Sequence, residues 1–305
     1  MTKIILHHFD ISPFAEKIRL VLGLKHLTWQ SVQIPIIMPK PDLTVLTGGY
    51  RKTPVMQIGA DIYCDTNRIA LELEHRHPQP TLFPDGSAGL SMALSFWSNQ
   101  TFFNHGAGLS MGLNTEIPKP ILADRKAFFN FMDFDKLPDE LPHLFSQLMA
   151  HMSLVDDQLA DGRPYLLGNE LGWIDINAYF VLWMSQNNIP GIEDHLKHLT
   201  NITDWDSRIA ELGHGQRSEL DAKDAIVSAK NTEPPSGSGV DREDVLEFSV
   251  GDDVIVEPDD YGMVPVKGEL ITLNRHEISL RRRHPQTDEV NVHFPRAGYR
   301  IIQHD

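Results

Sequence analysis

Among 305 residues there is a single cysteine, Cys64. This excludes an intrachain disulfide and fits a reducing compartment. Basic residues are also scarce: 27 Lys and Arg stand against 42 Asp and Glu, a formal net charge of −15. That balance opposes nucleic acid and anionic lipid as partners. No apolar stretch reaches the ~20 residues of a membrane span. The apolar run within MTKIILHHFD is too short for the core of a signal peptide. The histidines show no metal-ligand spacing, and His75 and His77 fall at a helix C-terminus, where they complement the dipole. Internal repeats and heptads are lacking. These absences lead to the expectation of a cytoplasmic protein with no metal, membrane or nucleic-acid partner.

What is there is globular in profile, 41% apolar and 23% charged, and long enough for two or three domains. Residues 1–84 read as strand, helix, strand, a ββ hairpin about Gly59, then a helix that stops before Pro78, the order of a small α/β layer domain. Residues 85–230 carry helical spacing throughout, which predicts an all-α domain. NTEPPSGSG (231–239) has the composition of a linker. Beyond it the period switches to two, and residues 240–305 predict a separately folding, small all-β module, a curled sheet or SH3-like barrel. There Val290, Val292 and Phe294 share one face of a strand and Glu289, Asn291 and His293 the other. Arg281, Arg282 and Arg283 resemble a nucleic-acid patch. Successive strand residues point to opposite faces, however, and the segment holds eight Lys and Arg against fourteen Asp and Glu, so they read as partners for that acid.

Three short stretches carry chemistry. Ser12 before Pro13 is an ordinary helix start. The same geometry aims N–H groups and positive partial charge at an anion such as a thiolate, and the hydroxyl retains a donor. Thr53-Pro54 enters a strand, which makes Pro54 a candidate cis-proline, with Thr53 offering its main chain to an extended peptide. Asp65-Thr66 opens another helix, suited to a carboxylate and, through Asp65, to an ammonium. The aromatic residues Phe96, Trp97, Phe102 and Phe103 fit helix–helix core better than a substrate wall. Cys64 reads as an inert core thiol.

These stretches together resemble the glutathione transferases. SPFAEKIRLVLGLK is similar to the opening of the serine-type tau class, and to the omega class apart from its cysteine. KTPVMQIGADIYCDT matches Lys-x-Pro-Val, hairpin, acidic residue, Ser/Thr. LLGNELGWIDINAYF resembles the capping segment of the helical domain, with Gly172 at the cap and Asp175 retained. The likeness runs over about residues 1–225. It implies a thioredoxin-like N-terminal domain, an all-α second domain, a homodimer, glutathione as co-substrate, detoxification chemistry and an electrophile site between the domains. It further implies that Ser12 donates to the glutathione thiolate and Thr53, followed by cis Pro54, pairs with the cysteinyl backbone. Asp65 would hold the γ-glutamyl ammonium, Thr66 its carboxylate, and Lys52 and Lys40 the glycyl carboxylate. Asp65 and Thr66 stand where the family usually has glutamate and serine. SPFA holds no cysteine, so mixed-disulfide exchange loses its nucleophile and conjugation to a hydrophobic electrophile remains. The alternative is a non-catalytic protein of this fold that acts through its C-terminal β module.

Overall fold

In the computed structural model, which describes residues 3–304, Ile4–His8 (β1) is a buried central strand. Pro13–Leu24 (α1) leads to Thr28–Gln33 (β2), which pairs with β1 in parallel. After Pro41–Thr47 (α2), the hairpin Val55–Ile58 (β3) and Asp61–Cys64 (β4) adds antiparallel to β1, and Thr66–Arg76 (α3) follows. A central strand buried on both faces tolerates polar side chains only when they are satisfied. His7 Nε2 lies 2.9 Å from Gln57 Oε1 and His8 Nε2 3.1 Å from Ser31 Oγ. Burial lowers the His7 imidazole to about 4, with Gln57 opposing, so it is neutral at physiological pH.

The helices Ala88–Trp97 (α4), Phe103–Leu113 (α5), Lys119–Phe128 (α6), Leu137–Gln158 (α7), Trp173–Asn188 (α8), Ile192–Leu196 (α9) and Thr200–Ala210 (α10) follow in order. Helix α8 is apolar around most of its circumference and correspondingly buried. Its start is fixed by Asp175, whose carboxylate accepts from the N–H groups of Gly172 (3.0 Å) and Leu166 (2.8 Å) and from Trp205 Nε1 (2.9 Å). The aromatic quartet splits by depth. Phe102 and Phe103 are buried, while Trp97 stacks on Phe102 at 5.1 Å and donates to His151 Nδ1 at 3.1 Å.

From residue 216 the chain rejoins the first sheet. Gln216–Glu219 (β5) pairs parallel with β2, and Ala222–Lys230 (α11) buries Ala225, Ile226 and Ala229 in the core that contains Ile5 and Val32. Gly239–Val240 (β6), Asp253–Pro258 (β7), Val266–Leu273 (β8), Glu277–His284 (β9), Asp288–Pro295 (β10) and Tyr299–Gln303 (β11) complete the order. Among the described residues these strands form one sheet in the order β11-β7-β8-β9-β10-β4-β3-β1-β2-β5, with β6 paired to β8. The chain divides into two compact units. One takes the residues up to Ile18, Leu27–Glu72 and those from Gln216 on; the other takes Arg19–His26 and Leu73–Gly215.

The layout of thioredoxin-like α/β, all-α and C-terminal all-β portions is the expected one. The independence expected of residues 240–305 is not what forms. Strand β10 pairs parallel with β4 (Asn291↔Asp61, Val292↔Ile62, His293↔Tyr63), satisfying an edge that would otherwise present unpaired N–H and C=O groups. Val290, Val292, Phe294, Tyr299 and Ile301 share one apolar cluster with Leu46, Tyr50 and Ile62. The stretch read as a linker is pinned as well. Pro235 C=O accepts from Arg281 Nη2 and Asn291 Nδ2, each at 2.9 Å, and Ser238 N–H donates to Thr272 Oγ1 at 2.9 Å. A Cβ at Gly237 would lie 2.2 Å from Ile271 O, a close approach that only glycine permits.

Asn291 and His293 on the polar face of β10 are likewise buried. His293 Nε2 meets Asp61 Oδ1 at 2.9 Å and His293 Nδ1 meets Glu277 Oε1 at 2.7 Å, with Ser279 Oγ also on Glu277. Arg68 joins Glu277 at 3.0 Å to Glu72 at 2.8 Å, Asn291 Nδ2 donates to Asp61 at 3.1 Å, and the His293 ring stacks on Tyr63 at 4.6 Å. Burial disfavours the imidazolium, but the two carboxylates outweigh it and raise the His293 pKa above 6.5.

Candidate functional site

Ser12, Lys40, Lys52, Thr53, Pro54, Asp65 and Thr66 all lie in the unit that carries the sheet. Ser12 caps α1. Its Oγ accepts from Ala15 N–H at 3.2 Å, its C=O accepts from Glu16 N–H at 3.0 Å, and its own N–H donates to Phe9 C=O at 3.1 Å. The residue is buried. Because the oxygen accepts from the helix, its O–H proton remains available to donate.

Lys40 precedes α2 and turns back, donating to Thr53 Oγ1 at 2.8 Å and to Arg51 C=O at 3.2 Å, with Nζ 5.6 Å from the Phe9 ring centre. Lys40 and Thr53 are thus brought together, and the backbone that begins at Phe9 leads directly into Ser12. The Thr53–Pro54 peptide is cis, and Pro54 is buried at the entry to β3.

Asp65 sits in the left-handed region with φ +77°, an uncommon conformation outside glycine that aspartate tolerates. Its C=O accepts from Ile69 N–H at 3.0 Å and its Oδ1 from Asn67 N–H at 2.8 Å, so it caps α3, of which buried Thr66 is the first residue. Oδ2 accepts from the Tyr299 hydroxyl at 3.2 Å, and the Tyr299 and Tyr50 hydroxyls lie 2.9 Å apart. Burial raises the Asp65 pKa, and Lys52, the Asn67 N–H and Lys17 oppose the rise. Burial also brings Lys17 down to about 7, with Asp65 pulling the other way. Lys17 therefore loses its charge near neutrality.

Lys52 is already engaged. Its Nζ lies 2.5 Å from Asp260 Oδ1 and 4.4 Å from the centre of the Tyr261 ring. Asp260 and Tyr261 belong to the loop between β7 and β8. These two residues, with Tyr299, Tyr50 and Lys17, escape the sequence reading. Tyr299 and Asp65 are 234 positions apart, and no local pattern links such distant residues. Cys64 is buried, which pushes its thiol well above the ordinary value and disfavours the thiolate form needed of a nucleophile.

No group of His, Cys, Asp and Glu able to hold a metal occurs among the described residues, and no helix there is long and apolar enough to cross a membrane. Residues 6–81 match the family model for the glutathione S-transferase N-terminal domain, and residues 138–210 match that for the C-terminal domain. No curated protein matches the chain. Of the solved structures, a GST-like protein from Pseudomonas syringae is 35% identical, with a TM-score of 0.81 over all of both chains. The C-terminal strands therefore lie within that match. FzlA from C. crescentus is 22% identical with a TM-score of 0.51, covering 68% of this chain and 87% of that one. A tau-class glutathione S-transferase from mango, Mangifera indica, is 13% identical with a TM-score of 0.50, covering 68% and 88%. These two likenesses are of fold alone. A shared identity of 35% along the whole length, with both domain models matched, means that the chain belongs to the glutathione transferase superfamily.

Proposed function

We propose that the protein is a cytoplasmic, homodimeric, serine-type glutathione transferase that conjugates glutathione to a hydrophobic electrophile. The observation that carries this reading is the state of Ser12, whose oxygen is held by Ala15 N–H so that its proton is free to point at a ligand sulfur. The helix N-terminus and this hydroxyl both favour a thiolate over a thiol. The thiolate attacks an electrophilic carbon. One S–C bond forms, and the electron pair leaves with a halide or moves onto an enone oxygen that is then protonated. Asp65 and Thr66 hold the γ-glutamyl end, Asp65 the ammonium. Thr53, before cis Pro54, pairs with the cysteinyl backbone, and Lys52 and Lys40 face the glycyl end.

Two variants test this. Ser12→Gly keeps most of the capping and loses the hydroxyl, so conjugation near neutral pH should fall about 10- to 100-fold, the value of one hydrogen bond to a charged group. Steady-state rates with halogenated and enone electrophiles measure it, and full activity would reduce Ser12 to a cap. Glutathione at ~100 times its dissociation constant should protect the fold by roughly 2.7 kcal/mol in thermal melts. Asp65→Ala should lose most of that protection, whereas an equal shift in both proteins would reject the assignment.

A second reading has its own support. Lys52 and Asp65 are engaged by Asp260 and Tyr299 of the C-terminal portion, as fits a non-catalytic protein in which that portion makes the functional contact. Absence of both glutathione protection and conjugation would favour it.

A further inference from the structure

The Lys52–Asp260 pair bears on which thiol peptide the site accepts, an inference that rests on the reading above. In that reading Lys52 meets the glycyl end of the ligand. Its ammonium, however, already has a carboxylate at 2.5 Å, and the Tyr261 ring beneath it holds the cation in place. The Lys52 and Asp260 side chains are only 13% and 22% exposed, so solvent screens the pair weakly. Tyr261 is buried, and the N–H of Asp259 donates to Gly298 C=O at 3.1 Å, which anchors the loop to the turn before β11. Asp260 is thus a fixed negative charge rather than a passing surface contact. It also acts on Asp65 by raising that carboxyl's pKa, which sets it within electrostatic reach of both ends of the site.

A ligand that brings a free carboxylate to Lys52 makes two carboxylates share one ammonium, and like charges so placed cost affinity. A ligand with a neutral or positive group there meets no such repulsion and can accept or donate a hydrogen bond at the existing pair. The geometry points to Asp260 as a specificity-determining residue that selects γ-glutamyl thiol peptides whose glycyl carboxylate is capped as an ester or amide. The free acid is disfavoured.

The test is isothermal titration of the full chain with glutathione and with its glycyl monoethyl ester, for the unaltered protein and for Asp260→Asn. The unaltered protein should bind the ester about tenfold more tightly, and Asp260→Asn should erase the difference by tightening the free acid about tenfold while leaving the ester nearly unchanged. The ester-to-acid preference of the unaltered protein is a readout that does not depend on the variant's folding. A free-acid preference in the unaltered protein overturns the inference and leaves the transferase reading standing. An ester preference that survives in Asp260→Asn also overturns it. If neither peptide binds either protein, the transferase reading itself falls, and the inference with it.

Discussion

Two charged joints tie the C-terminal strands to the N-terminal half, and they are built differently. The joint at His293 is enclosed: Asp61, Glu277, Arg68, Ser279 and Asn291 give its charges mutual partners, and β10 pairs in parallel with β4. The joint at Lys52 is one ion pair with an aromatic ring beside it, contributed by a loop rather than a paired strand. A closed, multiply bonded network holds register and resists exchange. A single ion pair beside one ring has no such surplus of partners. The first joint is structural, and the second is the one that the proposed function places beside a ligand.

The largest effect should come from removing both joints at once. Ending the chain after Lys230 strips the cluster of Val290, Val292, Phe294, Tyr299 and Ile301 and bares the β4 edge. At roughly 1.5–3 kcal/mol for each buried apolar side chain, that loss rivals a total stability of ~5–15 kcal/mol. The truncated chain should aggregate or lack a cooperative melt, as judged by gel filtration and circular dichroism. A soluble monodisperse product with a sharp melt would mean that the strands from 240 on fold separately after all.

His293→Ala should cost less, about 3–5 kcal/mol, because it leaves Asp61 and Glu277 buried without their shared cation. The pH dependence sharpens the contrast. The raised His293 pKa contributes stability that is complete below 6.5 and lost as pH rises through the higher folded value. At Glu277 burial favours the neutral acid, but His293 and Arg68 overcome it and hold the carboxyl near 2 instead of 4.5. Its contribution is complete above 4.5 and lost as pH falls through about 2. This joint is therefore strongest between 4.5 and 6.5. Thermal melts should decline above that window in the unaltered protein and show a flatter decline in His293→Ala.

Asp260→Asn should have the smallest effect on stability, under ~1 kcal/mol, since the amide oxygen still accepts from Lys52 and a single isolated pair contributes little. If it destabilised the fold as much as His293→Ala, the distinction between the two joints would fail.

Much of the N-terminal half was legible because its signals are local. The Ser-Pro helix start at Ser12, the hairpin at Gly59 and the acidic cap at Asp65 each depend on a few neighbouring residues, and each forms where the spacing predicted. Strand β5 was not legible. Its residues, Gln216, Arg217, Ser218 and Glu219, are all exposed, so no buried face imposes alternation. The arginines of β9 divided. Arg281 and Arg283 pair with Glu289 as expected, but Arg282 donates to the Lys267 carbonyl, a backbone acceptor that charge counting does not reveal.

The sequence by itself determined the order of elements in residues 1–84, the capping chemistry at Ser12, Asp65 and Asp175, and the absence of a cysteine at the start of α1, because each is a matter of residue type and short spacing. Tertiary structure alone decided that β10 would close the β4 edge, that Asn291 and His293 would be buried rather than solvated, and that Asp260 and Tyr299 would stand at Lys52 and Asp65. Strand pairing is a bond between backbones, largely indifferent to side-chain identity. Which edge a strand joins is therefore set by the packing of whole faces, and every charge that strand and its loops carry is delivered to whatever lies beside that edge.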